Sequence, residues 1–329
     1  MLSSDELQEI EKICEKWMFR KDIKTPDLET LYNLLKNIDF TPLVKAFTKR
    51  LETIPCKFSP SEEVSGSVCF FGGVVTSLLN YGYIQEIEGL FTFALCYMLI
   101  DHFLDDNTID AKEKEKSMKD IYNFIYKGER NSENILINAA ADRYLSLVER
   151  VPQCKPYILQ LFQAELKGVA IQRRTDLSRD IYLKIAEEKG GLTAACIGSI
   201  IGLSDEVNES ESMLLGSLIQ TPCDDLLDVK DDKELDIYTL IRYDMDRGFL
   251  DRYLYESIKK INSLSPVYNL FKVILLTGTV LGIHDNPGCI SDDLKQILEK
   301  YDAFNKETSK DSLNNWFHDK LYSYIEQNI

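Results

Sequence analysis

Apolar residues recur at helical spacing along most of the chain. Ile10, Ile13, Cys14 and Trp17 do so near the start, and Leu145, Leu147 and Val148 with Leu159, Leu161 and Phe162 do so further on; this spacing lays one stripe of a helix against a core. Strand signals are missing, with no run of alternating β-branched residues and no Asn-Gly or Asp-Gly hairpin turn. The prolines and most glycines fall between the periodic segments, where they end helices. Two segments are apolar nearly all round: Val74 to Ile100, with a polar break near Asn80 to Glu88, and Leu192 to Leu203. A helix without a polar face must be buried on every side, which requires other helices around it. The pattern predicts one all-α domain over residues 1–329, a helical bundle whose central helices are shielded by outer ones. The Lys-rich stretch Asp110 to Asp120 reads as a solvated helix start or loop.

Composition narrows the partners. With 38 Lys and Arg against 54 Asp and Glu, the formal charge is −16, so the average surface repels nucleic acid and anionic membranes, and no local basic stripe offsets this. An anionic substrate would therefore need metal ions in place first. The eight cysteines (Cys14, Cys56, Cys69, Cys96, Cys154, Cys196, Cys223, Cys289) are spread singly and read as small buried hydrophobes in a reducing, cytoplasmic setting. The N-terminus is an acidic amphipathic helix start and not a signal peptide. The longest apolar run, Leu90 to Ile100, has 11 residues, too short for a bilayer, so no transmembrane segment is expected.

Candidate chemistry lies in two aspartate clusters. The apolar segment ending at Ile100 runs into "DHFLDDN", in which Asp101 and Asp105 are four apart and share a helix face about 6 Å apart along the axis. Asp224, Asp225 and Asp228 supply a second such pair after the apolar "MLLGSLI". Either cluster alone reads equally well as a solvated acidic helix face. Both together, each abutting an apolar helix, point to hard cations held by oxygen ligands. No EF-hand loop occurs, and His102, His284 and His318 are scattered with no cysteine pair, which argues against zinc. Hard cations at the edge of apolar helices suit a diphosphate with a hydrocarbon tail: the metals bridge phosphate oxygens, and the apolar walls keep water from a cation.

These elements resemble the trans-isoprenyl diphosphate synthase superfamily, with its class I prenyltransferase and terpene-synthase fold. "DHFLD" (Asp101–Asp105) resembles the family's first DDxxD motif with His102 in place of the second aspartate, and "DDLLD" (Asp224–Asp228) matches its second motif in full. Between them "YLKIAEEKGGLTAA" (Tyr182–Ala195) resembles the segment "YxxIxxxKTGxLxxA", whose lysine binds diphosphate and corresponds to Lys189. The resemblance implies a class I isoprenoid synthase bundle with an apolar central cavity, about three Mg2+ ions with Mn2+ as an alternative, and a homodimer. It implies metal ligation by Asp101, Asp105, Asp224, Asp225 and Asp228, with Asp106 as neighbour or substitute. Asp101, Asp105, Asp224 and Asp228 would carry catalysis.

The departures bear on the reaction. Chain-elongating members carry "GGKxxRP" before the first motif; here "PCKFSPSEE" keeps Lys57 but has Pro60 where the arginine belongs. Their arginine pair after the first motif is replaced by lysines, Thr221 stands where a glutamine precedes the second motif with Gln220 displaced by one, and Lys233 is the remaining equivalent of a later lysine. Arg173, Arg174 and Arg179 are further candidates for phosphate oxygens. Tyr97, one turn before Asp101, is expected below the metals with Phe93 and Leu104 lining the hydrocarbon pocket; Phe70, Phe71, Phe91 and Phe93 read either as carbocation-facing rings or as core. His102 is expected to make a local hydrogen bond. Asp231 and Asp232 are expected in a solvated loop. A chain with the metal motifs but without co-substrate anchors is expected to ionise an allylic prenyl diphosphate (C10–C20, favouring C15) to a terpene. The alternatives are a chain-elongating synthase and a non-catalytic subunit of a heteromeric prenyl synthase.

Overall fold

The 3.6-residue periodicity is realised as α-helix over most of the described residues. The computed structural model describes residues 2–18, 46–47, 49–58, 60–81, 83–106, 108–171, 174–234, 237–243, 247–265, 279–280 and 282–300, and every regular element among them is helical. The α-helices that concern the site are α1 (Ser4–Met18), α2 (Pro60–Tyr81), α3 (Ile87–Asp105), α4 (Ala111–Lys127), α5 (Ile135–Arg150), α6 (Lys155–Ile171), α7 (Arg179–Ile200), α8 (Met213–Ile219), α9 (Val229–Glu234), α10 (Leu240–Tyr243), α11 (Arg247–Asn262) and α12 (Asp292–Glu299). π-helical stretches, Asn208–Ser212 and Gln220–Asp225, flank α8. The chain forms two compact units interleaved in sequence: one takes Met1–Asp39, Thr175–Gly190 and Leu214–Asn315, the other Phe40–Arg174, Gly191–Met213 and Trp316–Ile329. Arg173 and His318, and the side chains of Trp17, Phe71, Cys223 and Asp231, lie outside the described residues.

The unit that begins at Phe40 is built around α3, which buries residues on all sides, from Gly89, Leu90 and Phe91 to Phe103 and Leu104. Its neighbours approach closely because glycines let them. A Cβ at Gly66 of α2 would meet the Met98 sulfur at 1.9 Å, and one at Gly73, two turns on, would meet a Leu90 methyl at 2.5 Å. Gly66 and Gly73 therefore form a shallow track along α2 into which α3 side chains seat. Phe70 and Phe91 stack with centroids 4.3 Å apart, and the Arg50 guanidinium sits 4.2 Å over Phe91 while pairing with Glu88. The faces of these two rings are thus occupied by protein, which favours the core reading for them. Phe93 and Leu104 are likewise core residues.

The helix α3 is 19 residues long because it continues through the polar "DHFLD". Length and composition alone would let it cross a membrane, but 67% of its most apolar window is buried inside the protein. Burial, and not the shortness of the apolar run, is what distinguishes it from a span.

Asp110 caps α4, its side chain accepting from the Lys112 and Glu113 amides, and Gly128 closes it in the left-handed conformation (φ 78°). The expectation of a solvated helix start holds at Lys112 and Lys116 but fails at Lys114, which is 4% exposed. Lys114, Ser117, Met118, Ile121 and Ile125 form one buried stripe, so helical phase carries the lysine inward.

In the other unit α1 lies against α11 and α12, burying Ile10, Ile13 and Cys14. Acidic residues of α1 meet basic residues along its border: Glu6 pairs with Arg252, Glu9 accepts from Tyr255 at 2.5 Å with Lys259 3.5 Å away, and Glu11 pairs with Lys300 at 2.6 Å. The seven described cysteines are free thiols; burial pushes Cys14, Cys69 and Cys154 up to about 12, so these behave as hydrophobes.

The hydrogen bonds from Arg252, followed by that from the Ser3 amide, hold Glu6 at about 2 against an ordinary 4.5. The pairing therefore contributes fully above pH 4.5 and is lost as pH falls through about 2. Native-state hydrogen exchange of the α1 amides should accelerate across that range, and Arg252→Ala should flatten the pH dependence.

Candidate active site

Asp101 and Asp105 occupy the last turn of α3, both part-exposed, where the core helix leaves the interior. Asp106 does not join them on the helix. It is the C-cap, in extended conformation, and its Oδ1 accepts from the Thr108 amide (2.8 Å) and hydroxyl (2.6 Å). Those Thr108 bonds, the hydroxyl first, hold its carboxyl below the usual range, helped by the charge of Lys114. His102 makes the local bond expected of it: Nδ1 lies 2.5 Å from Glu62, and the ring stands edge-on to Phe58. Lys114 donates its ammonium to the carbonyl of Leu104, at the C-terminal end of α3. Its position was legible from phase alone, four residues before Met118 in the apolar stripe, but charge hid it in a run of alternating lysines and glutamates.

The second cluster is built around a close helix crossing. A Cβ at Gly190 of α7 would lie 2.5 Å from the Gly216 carbonyl of α8 and 2.7 Å from the Gln220 Cβ, so only glycine allows the two backbones to touch. Ser217 clasps the same crossing by donating to the Glu187 carbonyl at 2.8 Å. This seats Lys189 near enough for its charge to act on Asp225. The chain then enters the π-helical turn Gln220–Asp225, where Leu226 N–H reaches back to Thr221 O. A π turn holds one more residue than an α turn. The Gln220 amide donates to Asp224, and Thr221 donates to Asp225 at 3.1 Å.

The three aspartates are not equivalent. Asp224 is exposed and Asp228, joined to it by a helical backbone bond (3.0 Å), is part-exposed. Asp225 points inward at 7% exposure. Burial raises its carboxyl to about 6, against the lowering effects of the Thr221 hydroxyl and the Lys189 charge. Beneath it the Tyr253 hydroxyl faces those of Thr221 and Ser257, and burial pushes its pKa above the ordinary 10 too. Tyr253 and Ser257 escaped sequence reading because no motif covers α11. The available signal is a tyrosine and a serine four apart on a helix that otherwise buries Leu250, Leu254 and Ile258. Asp232 also departs from expectation: it is 8% exposed and belongs to α9, not to a solvated loop. Gly282 and Asn286 anchor this region, the Asn286 amide donating to the Leu226 carbonyl at 2.9 Å.

The other candidates are dispersed. Lys57, Arg174 and Lys233 are exposed; Arg179 lies 4.3 Å over the Phe249 ring, and Tyr97 is part-buried one turn before Asp101. Asp101, Asp105, Asp106 and Lys57 belong to the unit starting at Phe40, whereas Lys189, Asp224, Asp225, Asp228 and Lys233 belong to the other. Among the described residues no three His, Cys, Asp or Glu side chains form a ready metal cage. Magnesium does not require one: it is commonly held by one or two carboxylates with substrate phosphates and water completing the shell. The pairs Asp101/Asp105 and Asp224/Asp228 fit that donor set.

No protein-family model and no curated protein matches the sequence. Among solved structures the chain is similar to a heptaprenyl diphosphate synthase from Staphylococcus aureus, at 15% identity over 99% of this chain and 92% of that one, with a TM-score of 0.31. Likeness that slight decides neither topology nor chemistry.

Because the folded-state value of Asp225 lies above its ordinary 3.8, the contribution of this carboxyl to the stability of the metal-free protein is fully present below pH 3.8 and is lost as pH rises through about 6. In EDTA, Asp225→Asn should remove this dependence and raise stability at pH 7 by up to about 3 kcal/mol. Urea denaturation at pH 4 to 7 measures it; a variant that tracks wild type would show that Asp225 is not held in the folded protein as described.

Proposed function

We propose that this chain is a magnesium-dependent isoprenoid enzyme of the class I type, which ionises an allylic prenyl diphosphate and releases a terpene and diphosphate. The observation that carries it is the Gly190 crossing, which sets Lys189 beside an aspartate cluster in one unit. That combination provides a cation for phosphate oxygens next to carboxylates suited to metal. Asp101 and Asp105 provide a second carboxylate pair at the end of an apolar helix. When bound, magnesium supplies Lewis acidity that stabilises charge on the departing diphosphate. The chain's own residues do the rest. Asp101 with Asp105, and Asp224 with Asp228, would hold and orient ions each within its own unit, Lys189 would bind diphosphate oxygens beside the second pair, and Thr221 fixes the inward oxygen of Asp225. The hydrocarbon is taken up by apolar surface, with Tyr97 one turn before Asp101 limiting its length in the C10–C20 range.

Ionisation without chain elongation is supported by the fate of the lysines after the first motif. Lys114 is spent on the Leu104 carbonyl and Lys119 pairs with Glu115, so neither replaces the missing arginine pair. One observation favours chain elongation instead: a glutamine, Gln220, still reaches the second aspartate cluster, by donating to Asp224, despite its displaced position.

Purified protein with Mg2+ and geranyl, farnesyl or geranylgeranyl diphosphate, each with and without isopentenyl diphosphate, separates these outcomes. Hydrocarbon or alcohol from the allylic substrate alone is expected. Product that requires isopentenyl diphosphate moves the assignment to elongation, and absence of turnover together with association with another synthase moves it to a non-catalytic subunit. Asp224→Ala should lower turnover by about a hundredfold or more; undiminished activity would remove the metal role of the cluster.

A further inference from the structure

We propose that Lys114 is a positioning residue of the first aspartate pair, an internal cation that holds the last turn of α3 in the conformation in which Asp101 and Asp105 share a face. The inference rests on the reading of those aspartates as metal ligands and adds a residue that no motif contains. Lys114 is 4% exposed, on the buried stripe of α4, and its ammonium donates to the carbonyl of Leu104. A buried ammonium is strongly disfavoured unless bonded and placed near negative charge. The end of α3 offers both. Its last carbonyls have no partner in the helix and carry the negative end of the helix dipole, and Asp106 lies close enough to feel the lysine charge.

Two consequences follow for the turn. The bond to Leu104 O, one residue before Asp105, fixes the helix end where the chain breaks into the Asp106–Thr108 turn. The lysine also places a positive charge among the carboxylates crowded into residues 101–106.

The opposite expectation is equally concrete. Were Lys114 only a nearby positive charge, it would repel a divalent ion, and its removal would tighten metal binding. The sign of the change therefore separates a positioning residue from an electrostatic bystander.

The experiment uses Mn2+ alone as probe, with free Mn2+ read by its electron paramagnetic resonance signal, in the full chain carrying Asp224→Ala so that the first pair dominates. Adding Lys114→Met should weaken Mn2+ binding about tenfold, the size expected for loss of one charge-assisted hydrogen bond, with thermal unfolding little changed. Lys114→Arg should recover most of the affinity. Lys114→Gln, which keeps an N–H donor without the charge, should fall between. Unchanged or tighter binding in Lys114→Met overturns the inference, as does a loss of affinity that Lys114→Arg leaves unrepaired, or unfolding of both neutral variants. Asp105→Ala in the same background tests the underlying reading separately. Binding that depends on Asp105 but not on Lys114 defeats only the positioning role; no Mn2+ binding in the background chain defeats both.

Discussion

A helix that is apolar on every side has to be enclosed, and much of the Phe40 unit answers to that constraint in α3. Gly66 and Gly73 of α2 stand where a methyl group would strike Met98 or Leu90; α5 and the C-terminal half of α7 cover what remains, with Val151 and Ile200 close over Gly89. Enclosure also determines where polar chemistry can begin. The carboxylates of Asp101 and Asp105 lie in the final turn, part-exposed on either side of the buried Phe103 and Leu104. Charge directly after a sealed apolar helix is the local pattern that a diphosphate with a hydrocarbon tail requires, because solvation of one end and dehydration of the other must change over within a few ångströms.

The unit that contains α1 solves a different problem, the approach of two backbones. The absence of a side chain at Gly190 lets α7 rest on α8, and the contact brings a lysine on one helix within electrostatic reach of an aspartate that follows the other. Burial of Asp225 is unfavourable for its charged form, and the Thr221 hydroxyl and Lys189 only partly compensate. The fold thus retains a carboxylate in a place that stability alone would assign to a neutral side chain, as functional sites commonly do.

Much of the fold was legible in the sequence because it depends on periodicity. The enclosed helices, the acidic N-terminal helix and the cap at Asp110 all follow from local pattern. The clusters were legible as well, since i, i+4 aspartates beside apolar runs are a local signal. What escaped was set by tertiary placement. Lys114 and Asp232 are charged residues whose helical phase carries them inward, and composition argues against burial for both. Tyr253 and Ser257 lie far along the chain from the aspartate they underlie. The division of Asp224, Asp225 and Asp228 into outward and inward groups could be read only once the π turn was known, because that turn changes the angle between successive side chains.

The π turn also bears on how this motif tolerates change. A helix that stores one surplus residue at Gln220–Asp225 has a neighbouring state, the regular α-helix, reached by deleting a single residue there. In that state the glutamine would stand three residues before the aspartates instead of four. The segment can therefore be regarded as a register joint: insertion and deletion at one point exchange two arrangements of the same donors, while the helices on either side keep their faces.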